Sequence, residues 1–172
     1  SVLLAGASSL GGSLQLKGGG SATVIAARIA GDLQWDDQQG PLLALGNQVG
    51  GNMQVMGNRG GVTLQDNRAG GPLQCKQHDP APRGSRNVAA AIEDQCVAMA
   101  PADLQAPGTP LNPPAAPLPP GDAGSLPAAR LASGSNVNCL GLRLGADTYA
   151  NVTVPAGARC ELFGTRLTGT LQ

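Results

Sequence analysis

Four segments of this chain repeat one short pattern at a nearly constant step, and that step constrains the fold more than any other feature. They are Leu10-Gly-Gly-Ser-Leu-Gln-Leu16, Ile29-Ala-Gly-Asp-Leu-Gln-Trp35, Val49-Gly-Gly-Asn-Met-Gln-Val55 and Ala69-Gly-Gly-Pro-Leu-Gln-Cys75, whose first residues lie 19, 20 and 20 positions apart. A self-similar period of this length is the mark of a solenoid, in which one repeat cannot bury its apolar side alone and the stack makes the core.

Within each pattern the side chains alternate in the manner of a strand. Leu14, Leu33, Met53 and Leu73 form one inward column, and Leu16, Trp35, Val55 and Cys75 form a second. Ala22, Leu42 and Val62, with Val24, Ala44 and Leu64, supply two more. Gln15, Gln34, Gln54 and Gln74 then face outward as a polar column, either a stacked amide ladder or a solvated stripe. Gly12, Gly31, Gly51 and Gly71 mark corners where the chain turns sharply. No repeat has helical spacing of apolar residues. The prediction is a right-handed parallel β-helix with coils of 19–20 residues, each holding about three short strands. Leucine-rich, hexapeptide and calcium-binding nonapeptide repeats do not fit the pattern.

With 26 Gly and 14 Pro, the composition alone would suggest disorder; the repeat explains the glycines. The formal net charge of zero gives no electrostatic reason to expect nucleic acid or an anionic membrane. No apolar run reaches the length of a membrane span. Ser1 opens the chain without Met or a signal peptide, which reads as a mature or excised fragment.

The four cysteines, Cys75, Cys96, Cys139 and Cys160, form no CxxC motif. Cys75/Cys96 and Cys139/Cys160 share a separation of 21 residues. Three connectivities are open, as are four free thiols; the two local bridges are favoured, because cysteines one coil apart lie on neighbouring rungs. Two bridges would place the protein in an oxidising compartment, secreted, extracellular or at a cell surface.

The order of the coils is unusual. Residues 1–100 read as β-helix coils ending in a cap loop, with 76–95 departing from the repeat. Residues 101–135 carry nine prolines and read as an extended linker. Residues 136–172 return to the pattern: Asn151-Val-Thr-Val154 is followed by Leu167-Thr-Gly-Thr-Leu-Gln172, where the strand stops before its second inward residue. These last coils read as the opening of a helix that 1–100 completes. They are expected to stack on the N-terminal end of the same or the next subunit.

Asn151-Val-Thr-Val-Pro-Ala-Gly-Ala-Arg-Cys160, Leu167-Thr-Gly-Thr-Leu-Gln172, Gly50-Gly-Asn-Met-Gln-Val55, Leu73-Gln-Cys75 and Gln95-Cys96 resemble a group of secreted bacterial β-helical proteins of poorly characterised function. In that group the pattern like 151–172 precedes the pattern like 1–96, so the order here departs from it. A remoter similarity, of architecture alone, is to bactofilins, which polymerise end to end.

A heterologous end-to-end contact propagates, so the expected function is a structural subunit of an extracellular filament or surface fibre, assembled head to tail by coil complementation. The assembly interface would be Ser1, Val2, Leu3, Leu10, Leu14 and Leu16 against Leu167, Leu171 and Gln172. Ile25, Leu43 and Leu45 would point outward as a small apolar stripe for the linker or a lateral neighbour. The alternatives are a carbohydrate-binding or polysaccharide-degrading β-helix module, with a surface glycan as partner, and a monomeric stalk.

No catalytic residue, metal or cofactor is expected. Asp32, Asp36, Asp37 and Asp66 with Arg28, Arg59 and Arg68 are the residue types that β-helical polysaccharide enzymes cluster. Asp36 and Asp37 are adjacent, however, and would diverge from an extended strand. His78-Asp79 reads as a solvated loop. Asn151-Val-Thr153 matches a glycosylation sequon but is explained by its strand.

Overall fold

A computed structural model describes residues 1–99 and 134–172; most of the predicted linker 101–135 lies outside the described residues. The fold is a parallel β-helix whose coils each contribute to three sheets. Along the axis, the first sheet runs Arg83–Ser85, Val62–Gln65, Leu42–Leu45, Ala22–Ile25, Val2–Ala5, Cys160–Phe163 and Leu142–Leu144. The second runs Arg68–Ala69, Gln48–Val49, Arg28–Ile29, Ser9–Leu10, Arg166–Leu167 and Thr148–Tyr149. The third runs from Ile92–Asp94 through Leu73–Lys76, Met53–Met56 and Leu33–Asp36 to Leu14–Lys17. Single-residue bridges carry it on from Leu14 to Leu171 and from Leu171 to Val152, and Val152–Thr153 pairs with Val137–Asn138.

The repeat spacing becomes strand register directly. Leu14, Leu33, Met53 and Leu73 are opposed rung by rung, and so are Leu16, Trp35, Val55 and Cys75. The first column is at most 1 % exposed, and the core continues without a break from Leu73 to Leu144 and Tyr149.

Buried amides at the corners tie the coils together. Asn47 and Asn67 each accept a backbone N–H from the neighbouring coil, Ala27 N at 2.9 Å and Asn47 N at 3.1 Å. Each also donates inward, to the carbonyls of Val24 and Ala44 at 2.9 Å. Asn87 repeats the pattern one coil further on. On these three rungs a polar side chain thus does for the corner what ladder hydrogen bonds do for the strands.

Two expectations need correction, on 76–95 and on His78. The segment 76–95 is not merely a cap loop: Arg83–Ser85 and Ile92–Asp94 continue the first and third sheets as a further coil. The repeat is hidden there because Pro82, Gly84 and Asp94 stand where earlier coils carry apolar side chains, while backbone pairing needs only the spacing. The corner glycines Gly12, Gly31, Gly51 and Gly71 lie at bends, as expected, and they also permit close approach of the neighbouring coil. A Cβ on Gly51 would collide with Asp32 Oδ1 and one on Gly71 with Asn52 Oδ1; the Asp32 oxygen accepts Asn52 N at 2.8 Å. Finally, His78 is buried at 6 % exposure rather than solvated. It takes the position that Asn58 holds one coil earlier: Asn58 Nδ2 donates to Trp35 O at 3.1 Å, and His78 Nε2 lies 2.8 Å from Val55 O.

Candidate functional site

The residues expected to form an assembly interface meet inside a single chain. Val2–Ala5 lies between Cys160–Phe163 and Ala22–Ile25, with Val2 opposite Cys160 and Leu3 opposite Glu161. Leu10 pairs with Leu167, and Leu14 bridges Leu171. The Ser1 ammonium donates to Ala158 O at 2.6 Å, and Gln15 N donates to Leu171 O at 2.8 Å. Val2, Leu10, Leu14, Leu167 and Leu171 are all buried. Leu16 is half-buried over a slot of about 110 Å³ that it lines together with Ser1, Val154 and Gln172. The strand edges that a neighbouring molecule would have completed are therefore filled by the chain's own C-terminal coils.

The cysteines pair locally, Cys75 with Cys96 and Cys139 with Cys160, with Cα separations of 5.1 and 5.7 Å. Both bridges sit in the outermost coils. In the chain-entropy picture a loop of this size contributes about 3 kcal/mol, applied where a solenoid frays most readily. The Cys96 bridge also draws the turn 95–98 against the end of the stack, with Met99 packed on the core. Two disulfides are compatible with an oxidising environment. Among the described residues, no helix is long and apolar enough to cross a membrane.

Ile25, Leu43 and Leu45 occupy outward positions on the first sheet and are half-buried, while their neighbours Ala22, Val24, Leu42 and Ala44 are buried. The glutamine column is a directional ladder. Gln15, Gln34 and Gln54 each donate Nε2 to the next amide oxygen at 3.0–3.1 Å, and Gln74 donates to Glu93 Oε2 at 2.6 Å.

The acidic residues do not converge. Asp32 is spent on the Asn52 backbone, and Asp66 is held by Arg86, which keeps its carboxyl below the ordinary carboxylate range. Asp36 lies opposite Lys17; burial raises its pKa, and Lys17 acts against the rise. Asp37 turns away at a corner with φ of 54°. His78 Nε2 must carry the proton, because the Val55 carbonyl can only accept, and Nδ1 is buried without a partner. Desolvation lowers the His78 pKa.

A cationic column on the second sheet was not recognised from the sequence as one feature. Arg166, Ser9, Arg28, Gln48 and Arg68 lie in register on successive rungs. The signal was available in the residue preceding the inward apolar position of each repeat, but the zero net charge concealed it. Comparison with known protein families, curated proteins and solved structures returns no match for this chain.

Proposed function

We propose that this protein is a structural, non-catalytic solenoid of an extracellular setting, a rigid spacer whose coils are completed within each chain. The observation that carries this reading is the continuous third sheet through Leu14, Leu171 and Val152, which joins the two halves of the sequence into one stack. The terminal disulfides support it, since they brace the two ends in an environment where thiols are oxidised. The divergent carboxylates and the structural use of His78 weigh against polysaccharide cleavage.

A filament is the second reading, and it would use different residues from those at the filled seam. Among the described residues, the four exposed large hydrophobics all lie in the end coils: Val88, Ile92 and Val97 at one end, Leu140 at the other. Continued stacking would set Leu144 of one copy over Gly84 of the next and Val137 over Ile92. It would also oppose Arg143 to Arg83, a repulsion that salt screens. Light scattering and electron microscopy at low and high salt decide between the two. Monomers at every concentration are expected of a spacer. Filaments that form more readily in salt and vanish with Ile92→Arg would replace the spacer with end-to-end assembly.

A further inference from the structure

The outer face of the second sheet carries a charge pattern that neither a spacer nor an end-to-end joint requires. Its central column reads Arg166, Ser9, Arg28, Gln48, Arg68 along the axis. Rungs are about 4.8 Å apart, so a guanidinium recurs every second rung, about 9.6 Å, with a neutral hydrogen-bonding side chain between. All three arginines are exposed. The ion pairs among the described residues engage Lys76, Arg86, Arg143 and Arg159 instead. Arg28, Arg68 and Arg166 have no carboxylate partner among them.

Arg28, Gln48 and Arg68 of this column border a shallow trough of about 600 Å³ that runs past Ala30, Gly50 and Gly70, while Ser9 and Arg166 continue the column without lining it. A Cβ on Gly50 would strike the Ala30 carbonyl oxygen and one on Gly70 that of Gly50, so the floor stays bare backbone. Neither the arginine column nor the lining of the trough holds an acid; Asp66 and Asp32 lie at the flanking corners, Asp66 paired with Arg86, and Asp147 lies beside the last rung.

We infer that this face binds a linear anionic glycan lying along the solenoid axis, with a carboxylate or sulfate on alternate sugars facing Arg166, Arg28 and Arg68. Guanidinium forks suit such groups. Ser9 and Gln48 meet the hydroxyls of the intervening neutral sugars, since a two-sugar repeat of an extended chain is close to a two-rung step. A nucleic acid fits less well. Within a duplex each DNA strand carries a charge about every 3.4 Å of helix axis, far denser than this column, and single strands are held by aromatic stacking. Trp35 and Tyr149 are buried, and Phe163 lies under Arg143 at 4.8 Å.

The test uses the full chain with hyaluronan, which bears a carboxylate on every second sugar, beside uncharged dextran and single-stranded oligothymidylate. Binding is followed by calorimetry across a salt series. Hyaluronan is expected to bind with an affinity that falls with salt. The triple variant Arg28→Gln, Arg68→Gln, Arg166→Gln should weaken it by at least about tenfold. The charge-matched triple Lys17→Gln, Arg59→Gln, Arg83→Gln should bind as wild type. Arg28→Gln alone, at the centre of the column, should show the same trend with an unchanged unfolding midpoint. No hyaluronan binding, equal loss in the two triples, equal binding of dextran, or oligothymidylate bound as tightly as hyaluronan would each overturn the inference.

Discussion

Asn67→Ala and Gln54→Ala remove the same amide from two different ladders, and the structure assigns them very different costs. Asn67 is 1 % exposed. Its oxygen accepts Asn47 N at 3.1 Å and Asn47 Nδ2 at 2.9 Å, and its own Nδ2 donates to Ala44 O at 2.9 Å. Alanine leaves the two Asn47 donors without this acceptor at a corner that water does not reach. An orphaned buried group costs about 1–3 kcal/mol, so the substitution should cost about 3–5 kcal/mol. Gln54 also makes two ladder bonds, accepting from Gln34 at 3.0 Å and donating to Gln74 at 3.1 Å. Its neighbours are half-exposed, and water replaces what is lost, so Gln54→Ala should cost less than about 1 kcal/mol. Guanidinium unfolding followed by far-ultraviolet circular dichroism measures both, with the difference read from the midpoints at equal slope. Equal destabilisation by the two substitutions would refute the claim that the buried corner amides, rather than the outer glutamines, hold the coils in place.

Two further outcomes follow from the same coil geometry. Burial holds the His78 pKa below its ordinary value of 6.5, so the unfolded chain takes up the proton first as pH falls. Stability from this group is complete above about 6.5 and declines as pH drops toward the lowered folded value. His78→Asn, which restores the corner residue found at Asn58, should flatten that part of the stability profile in urea titrations at a series of pH values; an unchanged slope would count against it. Leu171 is fully buried between Leu14 and Val152, and Leu171→Ala should cost about 2–5 kcal/mol. Hydrogen exchange should then rise at the amides of Gly11, Gly12 and Gln15, which donate to Leu167, Gly169 and Leu171. Exchange unchanged at those three positions would mean that the C-terminal coils do not hold the N-terminal one.

Much of the core was legible because a solenoid converts sequence spacing into contact. Residues 19 or 20 apart become neighbours on adjacent rungs, so Leu14, Leu33, Met53 and Leu73 and the glutamine column could be identified by counting. The cysteine pairs follow from the same arithmetic, since 21 residues is nearly one coil. The coil at 83–94 was not legible, because backbone pairing tolerates Gly84 and Pro82 where a pattern search wants aliphatic side chains.

Periodicity describes each residue's relation to the next coil of the same run, and the sequence pattern is broken by the proline-rich stretch 101–135. Which strand edge receives the second run is a matter of where free N–H and C=O groups lie in space. Only the tertiary structure decided that Leu171 bridges Leu14 and Val152 of its own chain. Only there, too, do His78 and Asn58 become equivalent corner residues. The arginine column shows both sides of this division. Its members stand at a fixed place in the repeat and could be counted, yet their freedom from acidic partners depends on how the coils bring Asp66 to Arg86 and Glu161 to Arg143 and Arg159.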